Sequence, residues 1–294
     1  MKPKTQKYHQ RALPHPVVKW AGGKGQLLET YSRLFPQEFE HYYEPFVGGA
    51  AVFFAIYRQG LIKNACLNDL NPELINLYTV IRDRLDLLID ELKVHETHKK
   101  SRDYYYDVRN WDRNPRYFSR LAPEKRAART LFLNKTCFNG LYRVNRSDCF
   151  NVPFGKIKNP TVLDEDNLRA VSQALQGVSL TCQDFEEALD GAGPGDFIYL
   201  DPPYQPVTRT ASFTAYTRDS FSLADQQRLA RVFSALHAKG CLVMLSNSCV
   251  PEIQSLYQDY HIQVVQAVRA INSKKDGRGP IPEMVITSYS PPSY

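Results

Sequence analysis

The stretch Asp196-Phe197-Ile198-Tyr199-Leu200 is an apolar run of strand length that stops at Asp201-Pro202-Pro203-Tyr204. A run this short and apolar fits a buried strand. A carboxylate at its end lies where ligands bind in open α/β sheets. Asp201 and Pro202 each precede a proline and are biased toward extended backbone. The prolines fix φ and donate no hydrogen bond. The resulting stiff loop offers acceptors, the Asp201 carboxylate and the Pro202 carbonyl, beside the flat face of Tyr204. Such a set suits a planar amine with two N–H bonds, as on a nucleobase. Accepting both hydrogens pulls the nitrogen toward tetrahedral geometry and frees its lone pair, which stabilises a transition state. Taken alone, the tetrapeptide suits equally well a buried aspartate capping a turn before a Pro-Pro kink.

Other runs place this strand in a larger pattern. Val17-Val18-Lys19-Trp20 leads into Gly22-Gly23-Lys24-Gly25 and then a helix over about Gln26 to Phe35. The glycine run is not a P-loop, because no Gly-Lys-Ser/Thr ending follows and no strong strand precedes it. Tyr42 to Phe46 reads as a strand, Val47-Gly48-Gly49 as a turn, and Ala50 to Gln59 as a helix. Strand, glycine turn and helix open a nucleotide-binding α/β fold. The turn is not G-x-G-x-x-G, which weakens a nicotinamide reading. Ala65 to Asp69 is a second strand ending in an acid, placed to hold ribose hydroxyls or to cap the helix that starts near Pro72. Further strands are expected at Val178–Gln183, Cys241–Leu245, His261–Val268 and Glu283–Tyr289, with a helix over Phe221–Ala238. The fold class is therefore α/β, a Rossmann-like sheet.

Pro72 to about His98 has helical spacing, and Tyr104 to Asn139 continues helical in pieces. From Thr97 to Pro160 the chain carries 15 lysines and arginines against 5 aspartates and glutamates. The whole chain has a net charge of only +6, so this one segment holds the entire positive excess. It reads as an inserted helical subdomain with an electrostatic footprint for nucleic acid, or as a solvated helix face. Leu141–Asn145 and Cys149–Pro153 read as strands around a turn at Arg146-Ser147-Asp148. Period two puts Leu141, Arg143 and Asn145 on one face. A two-stranded ribbon fits the major groove, where an arginine takes guanine O6 and N7 together. Lys156 and Lys158 suit phosphates. An ordinary exposed hairpin would carry the same residues.

The expected organisation is a flexible basic arm over residues 1–16, a catalytic domain from 17–71 and 164–294, and a DNA-recognition subdomain over 72–163 with its hairpin at 138–155. Gln205–Ser220 reads as a mobile lid and Asn272–Gly279 as a loop contacting nucleic-acid backbone. No run approaches a membrane span of about 20 apolar residues. Met1–Pro16 has no apolar core of a secretory signal. Six scattered cysteines without a C-x-x-C pair argue against a zinc site and a disulfide framework, so a reducing cytoplasm is expected.

In this order the motifs resemble the Dam-type, class alpha DNA adenine-N6 methyltransferases, from Lys19 to about Tyr289. Lys19-Trp20-Ala21-Gly22-Gly23-Lys24 is similar to the family's N-terminal cofactor motif. Glu44-Pro45-Phe46-Val47-Gly48-Gly49 is similar to its glycine motif, and Asn68-Asp69-Leu70-Asn71 to its ribose-binding acid. Phe138 to Asn145 and Phe150 to Gly155 are similar to its DNA-reading hairpin, and Asp201-Pro202-Pro203-Tyr204 to its catalytic motif.

The resemblance implies S-adenosylmethionine as methyl donor, with Trp20, Lys24, Glu44, Phe46, Asp69 and Asp201 around it and Asp184-Phe185 near its adenine. It implies double-stranded DNA as substrate, GATC or a related GAT-containing site. Lys19, Leu141, Arg143 and Pro153 would touch bases and Phe138 would wedge into the duplex. Asn139, Asn145, Lys156 and Lys158 complete the expected DNA contacts. The fold implied is a methyltransferase sheet of seven strands whose last hairpin is antiparallel, with the helical DNA-recognition subdomain inserted; no metal and no membrane is implied. A cognate restriction endonuclease would be a genetic companion only. Ala50 departs from a third glycine and Phe138 from tyrosine. A cytosine-N4, RNA-adenine or protein-glutamine methyltransferase is the nearest alternative, and a DNA-binding protein with a dead cofactor site is the next.

Overall fold

The short apolar runs assemble into one sheet. The computed structural model describes residues 12–204, 221–268 and 280–291. The expected lid at 205–220 and the loop at 272–279 lie outside the described residues. Strands β1 (Tyr42–Glu44), β2 (Ala65–Asn68), β3 (Ser179–Thr181), β4 (Phe197–Leu200), β5 (Leu242–Ser248), β6 (His261–Val268) and β7 (Pro280–Thr287) lie in the order β3-β2-β1-β4-β5-β7-β6. The first five are parallel, and β7 runs antiparallel between β5 and β6. This is the seven-stranded sheet with a last antiparallel hairpin that the sequence predicts. Strand order reverses between β1 and β4, so the loops after them part and leave a crevice at their C-terminal ends.

Both faces of the sheet are covered, which is why its strands read as unbroken apolar runs. Phe197 and Tyr199 of β4 point into one apolar cluster, and Ile198 and Leu200 into the other. Ten helices are described: α1 (Leu28–Ser32), α2 (Ala51–Arg58), α3 (Pro72–Asp83), α4 (Leu85–Thr97), α5 (Arg102–Arg109), α6 (Pro115–Phe118), α7 (Pro123–Thr136), α8 (Glu165–Ala174), α9 (Leu223–Ala238) and α10 (Pro251–Leu256). The stretch between β2 and β3 is helical, and α7 packs on α3, α4 and α5. It has no separate core: Leu88, Phe132 and Val152 share a cluster with Phe53 and Phe197.

Several boundaries differ from expectation. The helix predicted over Gln26–Phe35 is one short helix, Leu28–Ser32, flanked by turns. The single helix expected from Pro72 to His98 breaks at Arg84, whose φ of −139° and ψ of 37° leave the helical region. Helices α8 and α10 were not expected. Of the arm at 1–16, residues 1–11 lie outside the described residues. Pro14 and His15 are tied to the body: the Pro14 carbonyl accepts from Arg58 at 2.7 Å, and the His15 N–H donates to Asn167 at 3.0 Å. Ala50 sits at φ 57° just before α2, a left-handed conformation that favours glycine. Ala50 therefore holds its methyl group in a strained conformation that a glycine would adopt freely.

Candidate active site and DNA-reading hairpin

The turn after Trp20 swings Lys24 into the crevice. Gly22 provides the positive φ of 74°, and the Gly23 N–H closes the turn on the Trp20 carbonyl at 3.2 Å. Lys24 ends up 4% exposed, with Nζ 2.8 Å from Asp201 Oδ1. The same ammonium donates to the Gly22 carbonyl at 2.6 Å and lies 4.7 Å from the centre of the Tyr204 ring. Ser246 of β5 donates to Asp201 Oδ1 at 3.2 Å and shares a 2.7 Å hydrogen bond with the Tyr199 hydroxyl. Burial raises the Asp201 carboxyl above its ordinary range, and Lys24 and Ser246 oppose the rise. Removing one partner of such a buried pair leaves an uncompensated charge.

The loop carrying Asp201 is fixed from behind. Gln226 of α9, fully buried, donates to the Pro203 carbonyl at 3.1 Å and accepts from Asn247 at 2.9 Å. Among the described residues the Pro202 carbonyl has no hydrogen-bond partner. The Tyr204 hydroxyl donates to Glu283 on β7 at 2.8 Å.

Two more acids close the crevice at the ends of β1 and β2. Glu44 is buried and accepts from the Tyr42 hydroxyl at 2.8 Å. Burial pushes its carboxyl up to about 8, with the charges of Asp201 and Asp69 adding to the rise. Asp69 accepts the Gly48 N–H at 3.0 Å and the Asn71 N–H at 2.9 Å. Burial lifts it to about 6 against those two bonds. It does not cap α3; Asn71 does, accepting from Glu73 and Leu74. Asn68, also buried, knits the loops after β1 and β3 by donating to the Pro45 and Gln183 carbonyls. Gly48 has φ 45°, and a Cβ there would meet Trp20 Cδ1 at 2.7 Å. The turn therefore needs glycine both for its backbone and for its contact with the indole.

Phe46 packs on Phe185 at 5.4 Å between ring centres and on Phe221 at 5.9 Å. Burial would raise the Asp184 carboxyl, yet two bonds from Arg228, at 2.9 and 2.8 Å, bring it below the usual carboxylate range. Both Asp184 oxygens are thus engaged by protein.

The hairpin is built differently from expectation. Phe138–Gly140 forms a 3-10 turn, with Asn139 at φ 57° and Gly140 at φ 66°. The expected strands 141–145 and 149–153 make no ladder; isolated bridges join Val144 to Phe150 and Cys137 to Phe154. Among the described residues the two segments are tied at one point only, where the Asn145 N–H donates to the Cys149 carbonyl at 2.9 Å and the Asn151 N–H to the Arg143 carbonyl at 3.0 Å, and side chains hold the outward-facing backbone of the second segment. Asp112 accepts the Phe150 N–H at 2.8 Å, Arg113 donates to its carbonyl at 2.6 Å, and Tyr105 donates to the Val152 carbonyl at 2.8 Å. Arg143 and Asn145 are exposed, whereas Leu141 is half-buried against the core. Asn151 clamps Arg143: its N–H donates to the Arg143 carbonyl at 3.0 Å, and its Oδ1 accepts from Nε at 2.7 Å. Asn145 Oδ1 closes the turn by accepting the Ser147 and Cys149 N–H groups.

Lys19 is brought to this hairpin from 120 residues away in sequence. Asn134, buried in α7, accepts the Lys19 N–H at 2.8 Å and donates to the carbonyls of Lys19 and Gly140. A Cβ on Gly140 would meet Lys19 Cδ at 2.5 Å. Trp20 stacks on Tyr142 at 4.8 Å, linking the crevice to the hairpin. Phe138 is 51% exposed, and Pro153, Lys156 and Lys158 are exposed beside it. Part of the basic footprint is structural. Arg129 is buried on Asp112, and Arg126 pairs with Glu73. Arg116 and Arg120 remain exposed. Sequence reasoning gave no role to Ser246, Asn134 and Glu283, which long-range packing positions without a local signal; Asn151 lay within the hairpin motif but was given no role of its own. Among the described residues, no group of His, Cys, Asp and Glu is arranged to hold a metal ion, and no helix is long and apolar enough to cross a membrane.

Residues 20–271 match the family of D12 class N6 adenine-specific DNA methyltransferases. The type II methyltransferase M1.LlaDCHI of Lactococcus lactis subsp. cremoris is 42% identical over 93% of this chain and 95% of its own length. The type II methyltransferase M.MjaIII of Methanocaldococcus jannaschii is 40% identical over 93% of this chain and 99% of its own. A DNA adenine methylase of Serratia marcescens is 34% identical over 91% and 96%. Agreement along whole chains, with the resembling motifs at the rim of one crevice and on one hairpin, leads to one assignment: the chain belongs to the D12 class N6 adenine-specific DNA methyltransferases.

Proposed function

We propose that this chain methylates N6 of an adenine rotated out of duplex DNA, that S-adenosylmethionine is the methyl donor, and that the site is GATC. The observation carrying the reading is the Asp201-Pro202-Pro203-Tyr204 loop at the point where strand order reverses, with Asp201 paired to the buried Lys24 at 2.8 Å. The crevice suits the donor chemically. Asp201 and Asp69 both act electrostatically on Glu44, whose carboxyl is pushed up to about 8. Three acids at the strand ends against one buried lysine suit a ligand that brings positive charge and hydroxyls, which would also draw Glu44 toward its charged form. Asp69 would take the ribose, Phe46 and Phe185 the flat adenine ring, and Trp20, Lys24 and Glu44 the remainder of the pocket. With Asp184 held by Arg228, it acts there through backbone and shape. S-adenosylmethionine, when bound, supplies a methyl group on a positively charged sulfur.

The chain's own residues then act on the base. Asp201 and the Pro202 carbonyl accept the two amino hydrogens and Tyr204 stacks on the ring. Extruding the base costs a few kcal/mol, roughly. Lys24 keeps Asp201 ionised and so able to accept. The nitrogen, cationic once methylated, is a strong acid and loses its proton through the Asp201 bond to water. Positioning supplies much of the acceleration.

The hairpin supports duplex DNA as the substrate. Asn151 takes Arg143 Nε, which leaves the two terminal amino groups of the guanidinium for guanine O6 and N7. Lys19, Leu141 and Pro153 would lie against neighbouring bases, with Phe138 in the gap left by the adenine. Asn139, Asn145, Lys156 and Lys158 would meet the backbone. The test is to express the chain in a strain lacking adenine methylation and map N6-methyladenine in its DNA. Methylation at GATC is expected. Methylation at another GAT-containing site would correct the outer bases, and DNA without N6-methyladenine would overturn the reading.

A further inference from the structure

Tyr204 is fixed by an acid that no motif contains. Its hydroxyl donates to Glu283 Oε2 at 2.8 Å, across 79 residues of sequence. Glu283 lies in β7, which is hydrogen-bonded on both sides. It is in register with Ser248 of β5 and with Val265 of β6. The acceptor is thus mounted on the middle of three paired strands. The donor, in contrast, ends a proline loop whose backbone is pinned one residue earlier, at the Pro203 carbonyl, by Gln226. Pinning Pro203 fixes the loop but leaves the Tyr204 side-chain torsions free. Lys24 lies against the ring 4.7 Å from its centre but does not direct the hydroxyl. Burial, together with the charge of Asp201, pushes the Tyr204 phenol well above its usual range, so it remains a donor.

We propose that Glu283 is a positioning residue for methyl transfer: by holding the Tyr204 hydroxyl it sets the plane of the ring on which the target adenine stacks. The proposal rests on the role given to Tyr204 above. An aromatic ring that rocks about its χ torsions still binds a base by its face. It no longer holds the amino group in line with the two acceptors, where small misplacements cost rate. The loss therefore falls on the chemical step rather than on DNA affinity.

The experiment uses the full chain, a duplex containing its methylation site, and saturating S-adenosylmethionine, with single-turnover rate and DNA affinity measured separately. Losing one positioning hydrogen bond in Glu283→Ala is expected to lower the rate by about tenfold. DNA affinity should stay within about twofold, well inside the factor of ten that 1.4 kcal/mol represents. Tyr204→Phe removes the same bond from the other end, together with the hydroxyl's action on Asp201, and should lose at least as much. The double variant should be no slower than Tyr204→Phe, since the two act as one unit. Glu283→Gln keeps an acceptor oxygen and should restore most of the rate. A Glu283→Ala loss that persists in full on the Tyr204→Phe background would overturn the proposal, as would a wild-type rate in both single variants. If Glu283→Ala is not recovered folded, Tyr204→Phe decides alone: a wild-type rate refutes the hydrogen bond's role. Tyr204→Ala separates the two levels. A wild-type rate there would remove the stacking reading itself. A collapse there, with Tyr204→Phe unaffected, would remove only Glu283.

Discussion

Asp201 and Arg143 are given the two halves of the proposed function, and the fold treats them in opposite ways. Asp201 is 19% exposed and meets a lysine and a serine, each delivered by a different segment. Arg143 stands open to solvent, and one neighbour, Asn151, holds its Nε. The first group is arranged before any substrate arrives, at the cost of a carboxyl raised by burial. The second is left able to meet a partner, and rigidity comes from what lies behind it: Asp112, Arg113 and Tyr105 occupy the backbone of the 149–153 segment. Preorganised dipoles accelerate a reaction because they need no rearrangement at the transition state. A reading surface must instead exchange water for bases and phosphates. Changes in the crevice should therefore act on rate and changes on the hairpin on sequence choice.

The largest break expected is in the crevice. Asp201→Ala removes an acceptor aimed at the reacting nitrogen and should lower the single-turnover rate by about a hundred- to a thousandfold, with DNA affinity little changed. A smaller, diagnostic change is expected from Lys24→Met. Burial already raises Asp201, and the ammonium opposes that rise. Without it the carboxyl titrates at higher pH. Activity at saturating cofactor should then begin to fall at a higher pH than in the wild type as the solution is acidified. An unmoved acid limb would separate Lys24 from Asp201.

On the hairpin, Arg143→Ala should lower discrimination at one base pair by about tenfold to a hundredfold, as an Arg–guanine pair gives about 1–3 kcal/mol. Binding to unrelated DNA should change far less. Equal losses on all sequences would make Arg143 a phosphate contact and blur the contrast drawn here. The double variant Lys156→Ala/Lys158→Ala should weaken binding evenly across sequences and reduce the salt slope by about 2. The smallest effect concerns stability. Glu44 has an ordinary value of 4.5 and is pushed up to about 8 in the folded chain. The folded state then binds the proton that the unfolded state has released. Stability attributable to this group is present at low pH and is lost as pH rises through about 8. Glu44→Gln should flatten the fall in Tm between acid and alkaline buffers.

What the sequence made legible follows from distance along the chain. Strand β6 has the limits its apolar run predicts, and the order of strands, turns and acids suffices for the sheet. Local signals for α8 were present, with Asp164 as cap and Leu168, Val171 and Leu175 at helical spacing. Helix α10 has six residues and is too short to express a period. The break at Arg84 carries no glycine or proline to announce it. Alternation predicts a ladder in the hairpin, whereas the two segments meet at a single bridge, Val144 to Phe150, and the outer edge of the second is held by Asp112 and Tyr105, more than 35 residues away. The motif residues of the crevice were readable; their partners Ser246 and Glu283 were not, because β5 and β7 bring them in by register.

If the Asp201 loop directs a methyl group to an adenine amino nitrogen, as proposed, transferred methyl must be found there and must depend on Asp201. Duplex DNA incubated with methyl-labelled S-adenosylmethionine and then hydrolysed to nucleosides tests it directly, with wild-type and Asp201→Ala protein side by side. The account predicts label in N6-methyladenine with the wild type and almost none with the variant. Label in N4-methylcytosine, or undiminished transfer by Asp201→Ala, would contradict it.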